Sequence, residues 1–144
     1  MWGGSLVCSG HQLLAITVVL LLALLPFRAR AGTSVTGSWG GDHIALVATA
    51  TGARVELDCG HGRSDEPLQA NADGTFEARG TYVPEEGGPT DLSRPSTARI
   101  LVVLYKGWTD GGRMRLTVLV PETGREIGSF SLCSGCQPHL EKCL

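Results

Sequence analysis

The chain has 144 residues, a length that predicts a single domain, and it carries 12 Lys and Arg against 14 Asp and Glu, for a net charge of −2. Without residues 1–31 it keeps ten of the basic residues and all fourteen acidic ones, which gives a net charge of −4. A mildly acidic domain offers no basic patch to nucleic acid or to anionic lipid, so neither is an expected partner.

The first 31 residues predict an export signal. Residues 13–27 contain one Thr and one Pro among apolar side chains and no charge. A run of this length matches a signal sequence and is short for a membrane-spanning helix of about 20 residues. Residues 29–31, Ala-Arg-Ala, form a cleavage site, although the lack of Lys and Arg in residues 1–12 leaves a retained anchor as the alternative. We predict cleavage after Ala31, one domain over residues 32–144, a periplasmic or secreted location and no membrane contact after cleavage.

Four cysteines remain after the signal: Cys59, Cys133, Cys136 and Cys143. An even number in a short exported domain indicates disulfides. We favour Cys59–Cys143, which would tie the C-terminal tail to the body of the domain, together with Cys133–Cys136. The other two connectivities stay open, as does a zinc site made of the three C-terminal thiolates and His139.

Short runs of alternating or β-branched residues, separated by glycines, fill residues 32–144, as is typical of strands and tight turns. No stretch of 12 residues there shows helical periodicity. Tight turns are predicted at Asn-Ala-Asp-Gly, residues 71–74, and Thr-Asp-Gly-Gly, residues 109–112. The predicted strands cover residues 34–39, 44–50, 54–59, 75–83, 98–105, 113–120 and 126–132. Their spacing predicts an all-β fold, either a sandwich or, as we favour, a small antiparallel up-and-down barrel of seven or eight strands.

Two of these strands carry further expectations. Alternation in the third predicts that Val55, Leu57 and Cys59 share its buried face. The near-continuous apolar character of residues 98–105 favours burial on both faces or a position in a barrel. Residues 84–95, with three prolines, form the one long polar loop.

Residues 36–39, Thr-Gly-Ser-Trp, resemble the G-x-W opening of calycins, the superfamily of lipocalins and avidins, and residues 73–82 are similar to the second-strand region of the avidin group. The resemblance implies an eight-stranded barrel with one mouth for a small ligand. It also implies that Trp39 closes one end of the core and that Tyr82 contacts the ligand. Gly41 stands where avidins carry an Asn that contacts biotin, and the two tryptophans of residues 32–144 are too few for their aromatic box, so biotin is not the expected ligand.

Signals for catalysis are weak. Asp42, His43 and His61 lie near strand ends and could form a metal or acid/base site, but no fixed spacing joins them and we interpret them as surface residues. The chain has no G-x-S-x-G, H-E-x-x-H or phosphate-binding loop. We therefore predict no catalytic residue, no metal and no cofactor.

The favoured function is an exported β-barrel that binds a small apolar or amphipathic ligand at its mouth, with Trp39 and Tyr82 near one end. The alternative is a module that binds another exported protein, such as a periplasmic protease or lysozyme inhibitor, through residues 84–95. An enzyme is the third class. A solvent-reached cavity of a few hundred Å³ would favour the ligand, and a filled core with a projecting loop would favour the protein partner.

Overall fold

The computed structural model describes residues 32–85 and 99–143. The predicted signal segment and residues 86–95 of the long loop lie outside the described residues. Within the described part the strands are β1 (Thr33–Ser34), β2 (Gly37–Gly41), β3 (Ile44–Ala48), β4 (Ala53–Leu57), β5 (Gly60–Ser64), β6 (Gln69–Ala70), β7 (Thr75–Pro84), β8 (Leu101–Thr109), β9 (Arg113–Val120) and β10 (Arg125–Ser134).

Eight of these strands close into one barrel. Strands β2, β3, β4, β5, β7, β8, β9 and β10 pair antiparallel in chain order, and β10 pairs with β2 to close the sheet. The short strands β1 and β6 form a separate two-stranded ribbon. The all-β, up-and-down barrel predicted from the sequence is confirmed. No helix in residues 32–85 and 99–143 is long and apolar enough to cross a membrane.

The two ends of the barrel carry different attachments. At one, the ribbon end, lie the β3–β4 and β8–β9 turns and the β5–β7 connection, whose strand β6 pairs with β1. At the other, the tail end, the β2–β3 and β4–β5 turns meet residues 135–143. We call residues 135–143 the tail.

Inward-facing side chains fill the barrel. The largest side chains that are almost wholly buried are Ile44, Leu46, Val55, Leu68, Val103, Tyr105, Met114, Leu116 and Val118. Strand β8 alternates between buried and more exposed residues, and Val102 on its outer face is 65% exposed. For the described part of residues 98–105, burial on both faces is therefore wrong, and the position in a barrel is the expectation that holds.

Strand β5 was not predicted, and two tyrosines explain its unusual composition. Its inward residues Gly60 and Gly62 leave the room that a Cβ would occupy to the hydroxyls of Tyr82 and Tyr105, respectively. The Tyr105 hydroxyl then donates to the Thr81 carbonyl oxygen at 2.7 Å. A strand with glycines on its inner face lacks the β-branched and aromatic residues that mark a strand in sequence.

The structure corrects one expectation about Cys59. Strand β4 ends at Leu57, which pairs directly with Gly60, so Asp58 and Cys59 form the two-residue turn between β4 and β5. Cys59 is exposed, because a turn residue does not continue the alternation of the strand. The predicted disulfides are confirmed: Cys59 is bonded to Cys143, and Cys133 to Cys136.

Candidate functional site

A cavity of about 510 Å³ opens at the ribbon end. It lies between the ribbon and the turns that follow β6 and β8. Its lining consists of residues 33–36, 39, 70–74 and 108–111. The volume falls within the range of about 300–1,000 Å³ usual for small-molecule sites.

Two tryptophans contribute apolar surface to this cavity. Trp39 is only 4% exposed, as predicted, and its indole Nε1 donates to the Thr36 carbonyl oxygen at 3.3 Å. Trp108 is 40% exposed, and its Nε1 donates to the Asp73 carbonyl oxygen at 2.9 Å. The cavity therefore has one immobilised indole inside it and one at its rim.

Asp73 supplies a carboxylate from the β6–β7 turn. Its Oδ1 accepts hydrogen bonds from the Thr75 hydroxyl at 2.6 Å and the Thr75 backbone N–H at 3.0 Å. These bonds lower the pKa of Asp73 below its usual value, so the group is charged at neutral pH. Because both bonds go to Oδ1, Oδ2 makes no hydrogen bond within the described residues.

Asp110 supplies a second carboxylate from the β8–β9 hairpin. Its Oδ1 accepts from the backbone N–H groups of Arg113 at 2.7 Å and Gly112 at 2.9 Å, and these bonds lower the pKa of Asp110. The exposed Arg113 side chain lies beside it, with Nε 3.4 Å from Oδ2. No Lys or Arg belongs to the described lining of the cavity itself, so the charge presented there is negative.

Tyr82 is not part of this cavity. Its hydroxyl donates to the Cys59 carbonyl oxygen at 3.0 Å, which places it at the tail end, whereas Trp39 lines the cavity at the ribbon end. The expectation that Trp39 and Tyr82 lie near one end is wrong for this chain. Tyr82 lies near the end of β7, opposite Gly62, and the lack of a Cβ at Gly60 leaves room for its ring beside the β4–β5 turn.

A second depression, of about 550 Å³, lies beside the β3–β4 turn. Its lining consists of residues 47, 49, 51–54 and 63–65. Two arginines and an aspartate line it, but no aromatic ring does, and Arg63 and Asp65 already pair with each other at 3.2 Å. The first cavity is the better candidate because it combines aromatic surface with two carboxylates, of which Asp73 has an oxygen without a hydrogen bond among the described residues.

The three histidines of the described residues all lie at the tail end. His43 contacts Asp58, with 2.5 Å between Nδ1 and Oδ2, and His61 contacts Glu85, with 2.9 Å between Nδ1 and Oε1. His43 and His61 thus have separate partners and do not form the shared site considered from the sequence. No three or more His, Cys, Asp or Glu side chains in residues 32–85 and 99–143 are arranged to hold a metal ion.

Sequence reasoning did not identify Trp108, Asp73 and Asp110 as site residues. The two aspartates belong to the Asn-Ala-Asp-Gly and Thr-Asp-Gly-Gly segments, which the sequence correctly marks as turns. That both turns lie at the same end of the barrel follows from the two antiparallel strands between them, β7 and β8, but no motif in the sequence marks these residues as a binding site.

Comparison of the chain with protein-family models, curated proteins and solved structures found no match.

Proposed function

We propose that this chain is an exported, calycin-like barrel that binds a small amphipathic ligand in the ribbon-end cavity. The observation that carries the proposal is the cavity lined by Trp39 and Trp108 together with the carboxylates of Asp73 and Asp110. Two disulfides support a location in an oxidising compartment. The export signal would then be cleaved, and N-terminal sequencing of the secreted protein should begin at Gly32; a membrane-bound product that begins at Met1 would contradict this part.

The lining favours a ligand with one apolar and one cationic part. The face of an indole attracts a cation within about 6 Å of its centre, and a neighbouring carboxylate adds to that attraction. An anionic ligand would meet two carboxylates and no basic lining residue among those described. A fatty acid is therefore a poor fit, although the cavity is large enough for part of an alkyl chain.

Matched amphiphiles test the charge preference. We expect decyltrimethylammonium to bind one per chain at least tenfold more tightly than decanoate, measured by calorimetry or tryptophan fluorescence below the micellar concentration of each. Trp108→Ala should reduce the difference, because it removes the indole at the rim and leaves the two carboxylates in place. Asp110→Asn should weaken only the cationic compound.

Asp65→Asn is the control, since this exposed carboxylate lines the second depression and not the cavity. Saturable binding that is unchanged by Trp108→Ala would place the ligand elsewhere. A lack of saturable binding of both amphiphiles and of neutral decyl maltoside would remove the small-ligand function.

The alternative, a module that binds another exported protein, has its own support. The barrel interior is filled, and Ile100 and Val102 each expose 65% of their surface on one side of the barrel. Such a module would act as a periplasmic protease or lysozyme inhibitor. Inhibition of lysozyme or of a secreted protease, lost in Val102→Lys and retained in Trp108→Ala, would favour this alternative over the ligand.

A further inference from the structure

The tail brings two distant histidines together. The backbone N–H of His43 donates to the His139 carbonyl oxygen at 2.7 Å, and the His139 N–H donates to the Gly41 carbonyl oxygen at 3.0 Å. The Cys59–Cys143 disulfide anchors the tail four residues further on. Because both main chains are fixed, the two imidazoles lie side by side, with 6.4 Å between their centres.

The partner of His43 leaves one ring nitrogen free. Nδ1 of His43 lies 2.5 Å from Oδ2 of Asp58, and the other oxygen of Asp58 accepts the Glu141 N–H at 2.8 Å. A carboxylate on Nδ1 fixes the ring and directs the lone pair to Nε2, which is the arrangement usual for histidines that bind metals. His139 likewise has a carboxylate on its Nδ1 side, with 4.0 Å between Nδ1 and Oδ1 of Asp42.

His43 also has an unusual backbone. Its φ is 67°, and it is the one non-glycine residue with positive φ within residues 32–85 and 99–143. This left-handed conformation is uncommon for residues other than glycine, although Asn, Asp and His adopt it more often than the rest. A histidine is therefore accommodated in this tight turn, and its imidazole lies beside that of His139.

The spacing of the two rings suits a shared ligand. A metal about 2.0–2.1 Å from each nitrogen puts the centres of two ligating imidazoles about 5–6 Å apart. A small side-chain rotation of His139, whose side chain is 67% exposed, brings the observed 6.4 Å into that range. We propose that His43 and His139 bind one transition-metal ion through their Nε2 atoms, with water completing its coordination.

The ligand atoms determine which metal ion this site prefers. All four cysteines of the described residues are in disulfides, so no thiolate competes for the ion. Two imidazoles and water favour Cu²⁺ over Ni²⁺ and Zn²⁺, following the usual order of divalent-metal affinity. The site is independent of the ribbon-end cavity, and its failure would leave the proposed function untouched.

Titration of the tag-free secreted protein with CuCl₂ tests the site. We expect one Cu²⁺ per chain by calorimetry, and nitrogen hyperfine structure from two imidazoles in the electron paramagnetic resonance spectrum. His139→Gln and His43→Asn should each lower the affinity at least tenfold. Asn is chosen at position 43 because it accommodates positive φ, and His139 lies in the exposed tail, so both variants should fold; their melting temperatures verify this.

The matched control is His61→Gln. His61 is also at the tail end and also has a carboxylate on Nδ1, but its ring does not lie beside another histidine within the described residues. We expect its affinity for Cu²⁺ to stay within twofold of the parent. Equal loss in His61→Gln and His139→Gln, a spectrum with a single imidazole, or no binding at micromolar Cu²⁺ would each overturn the proposal.

Discussion

The two ends of this barrel are covered in different ways: one keeps a cavity, and the other is closed by a cross-linked segment. At the ribbon end the cover is a two-stranded ribbon of two residue pairs, and a cavity remains beside it. At the tail end the cover is a segment held by a disulfide and by backbone hydrogen bonds to Gly41, His43 and Asp58. The same barrel therefore has a cavity beside its ribbon at one end and a disulfide-held segment at the other.

The largest effect should come from Trp39→Ala at the ribbon end. Removing a buried indole leaves a void in the core, and we expect a loss of about 3–5 kcal/mol in the free energy of unfolding. Urea denaturation measures it. Trp108→Ala is the matched control and should cost less, because Trp108 is 40% exposed. Equal losses in the two variants would mean that Trp39 is not the core residue its burial indicates.

The barrel itself could be predicted because its hairpins carry their own signals. The alternating residues 113–120 match β9 residue for residue, and the turn at residues 109–112 joins β8 to β9 as expected. Strand β5 could not be predicted in the same way. Its inner glycines are required by the rings of Tyr82 and Tyr105, which come from β7 and β8, so the reason for its composition lies in strands distant in sequence.

The second-largest loss of stability is expected at the tail end. Cys59→Ser with Cys143→Ser should lower the free energy of unfolding by about 2–4 kcal/mol, since the lost cross-link closes a long loop. Its sequence separation is 84 residues, against 3 for Cys133–Cys136. The double serine variant of that shorter bridge should therefore cost less. If the two double variants were equally unstable, chain entropy would not explain the role of the tail disulfide.

The candidate site was less predictable than the fold. The resemblance to calycins implied Trp39, which lines the cavity, but also Tyr82, which lies at the other end. Trp108 is adjacent to a turn and Asp110 lies within it, and neither belongs to a pattern that marks a site in sequence. Only the closure of β10 against β2 brings their hairpin beside Trp39, and closure is a long-range property.

A smaller effect is expected from Tyr105→Phe, in the core between the ends. Loss of the hydrogen bond to the Thr81 carbonyl should cost about 0.5–1.5 kcal/mol at neutral pH. Burial, and then the neighbouring Tyr82, raise the pKa of Tyr105 above its usual value of 10.0. The Tyr105 hydroxyl therefore loses its proton at a lower pH in the unfolded state than in the folded state. Its contribution to the free energy of unfolding is complete below pH 10 and declines above it. The variant should lose less stability than the parent above pH 10, as chemical denaturation at increasing pH would show; a parallel decline in both would contradict the assignment.

The smallest effect should be that of Asp58→Asn at the tail end. Desolvation, the largest single influence, raises the pKa of Asp58, but the Glu141 N–H and His43 together outweigh it and leave that pKa below the usual value of 3.8. A carboxyl whose pKa is lower in the folded state stabilises the fold above the unfolded pKa, and this contribution disappears as the pH falls through the folded pKa. The difference in urea midpoint between parent and Asp58→Asn should therefore be constant from pH 7 to about pH 4 and vanish at lower pH.

Asp65→Asn, at an exposed pair away from the tail, should show little difference at any pH. A difference for Asp58→Asn that persists at pH 2 would mean that its side chain stabilises the tail end by shape or hydrogen bonding and not by charge.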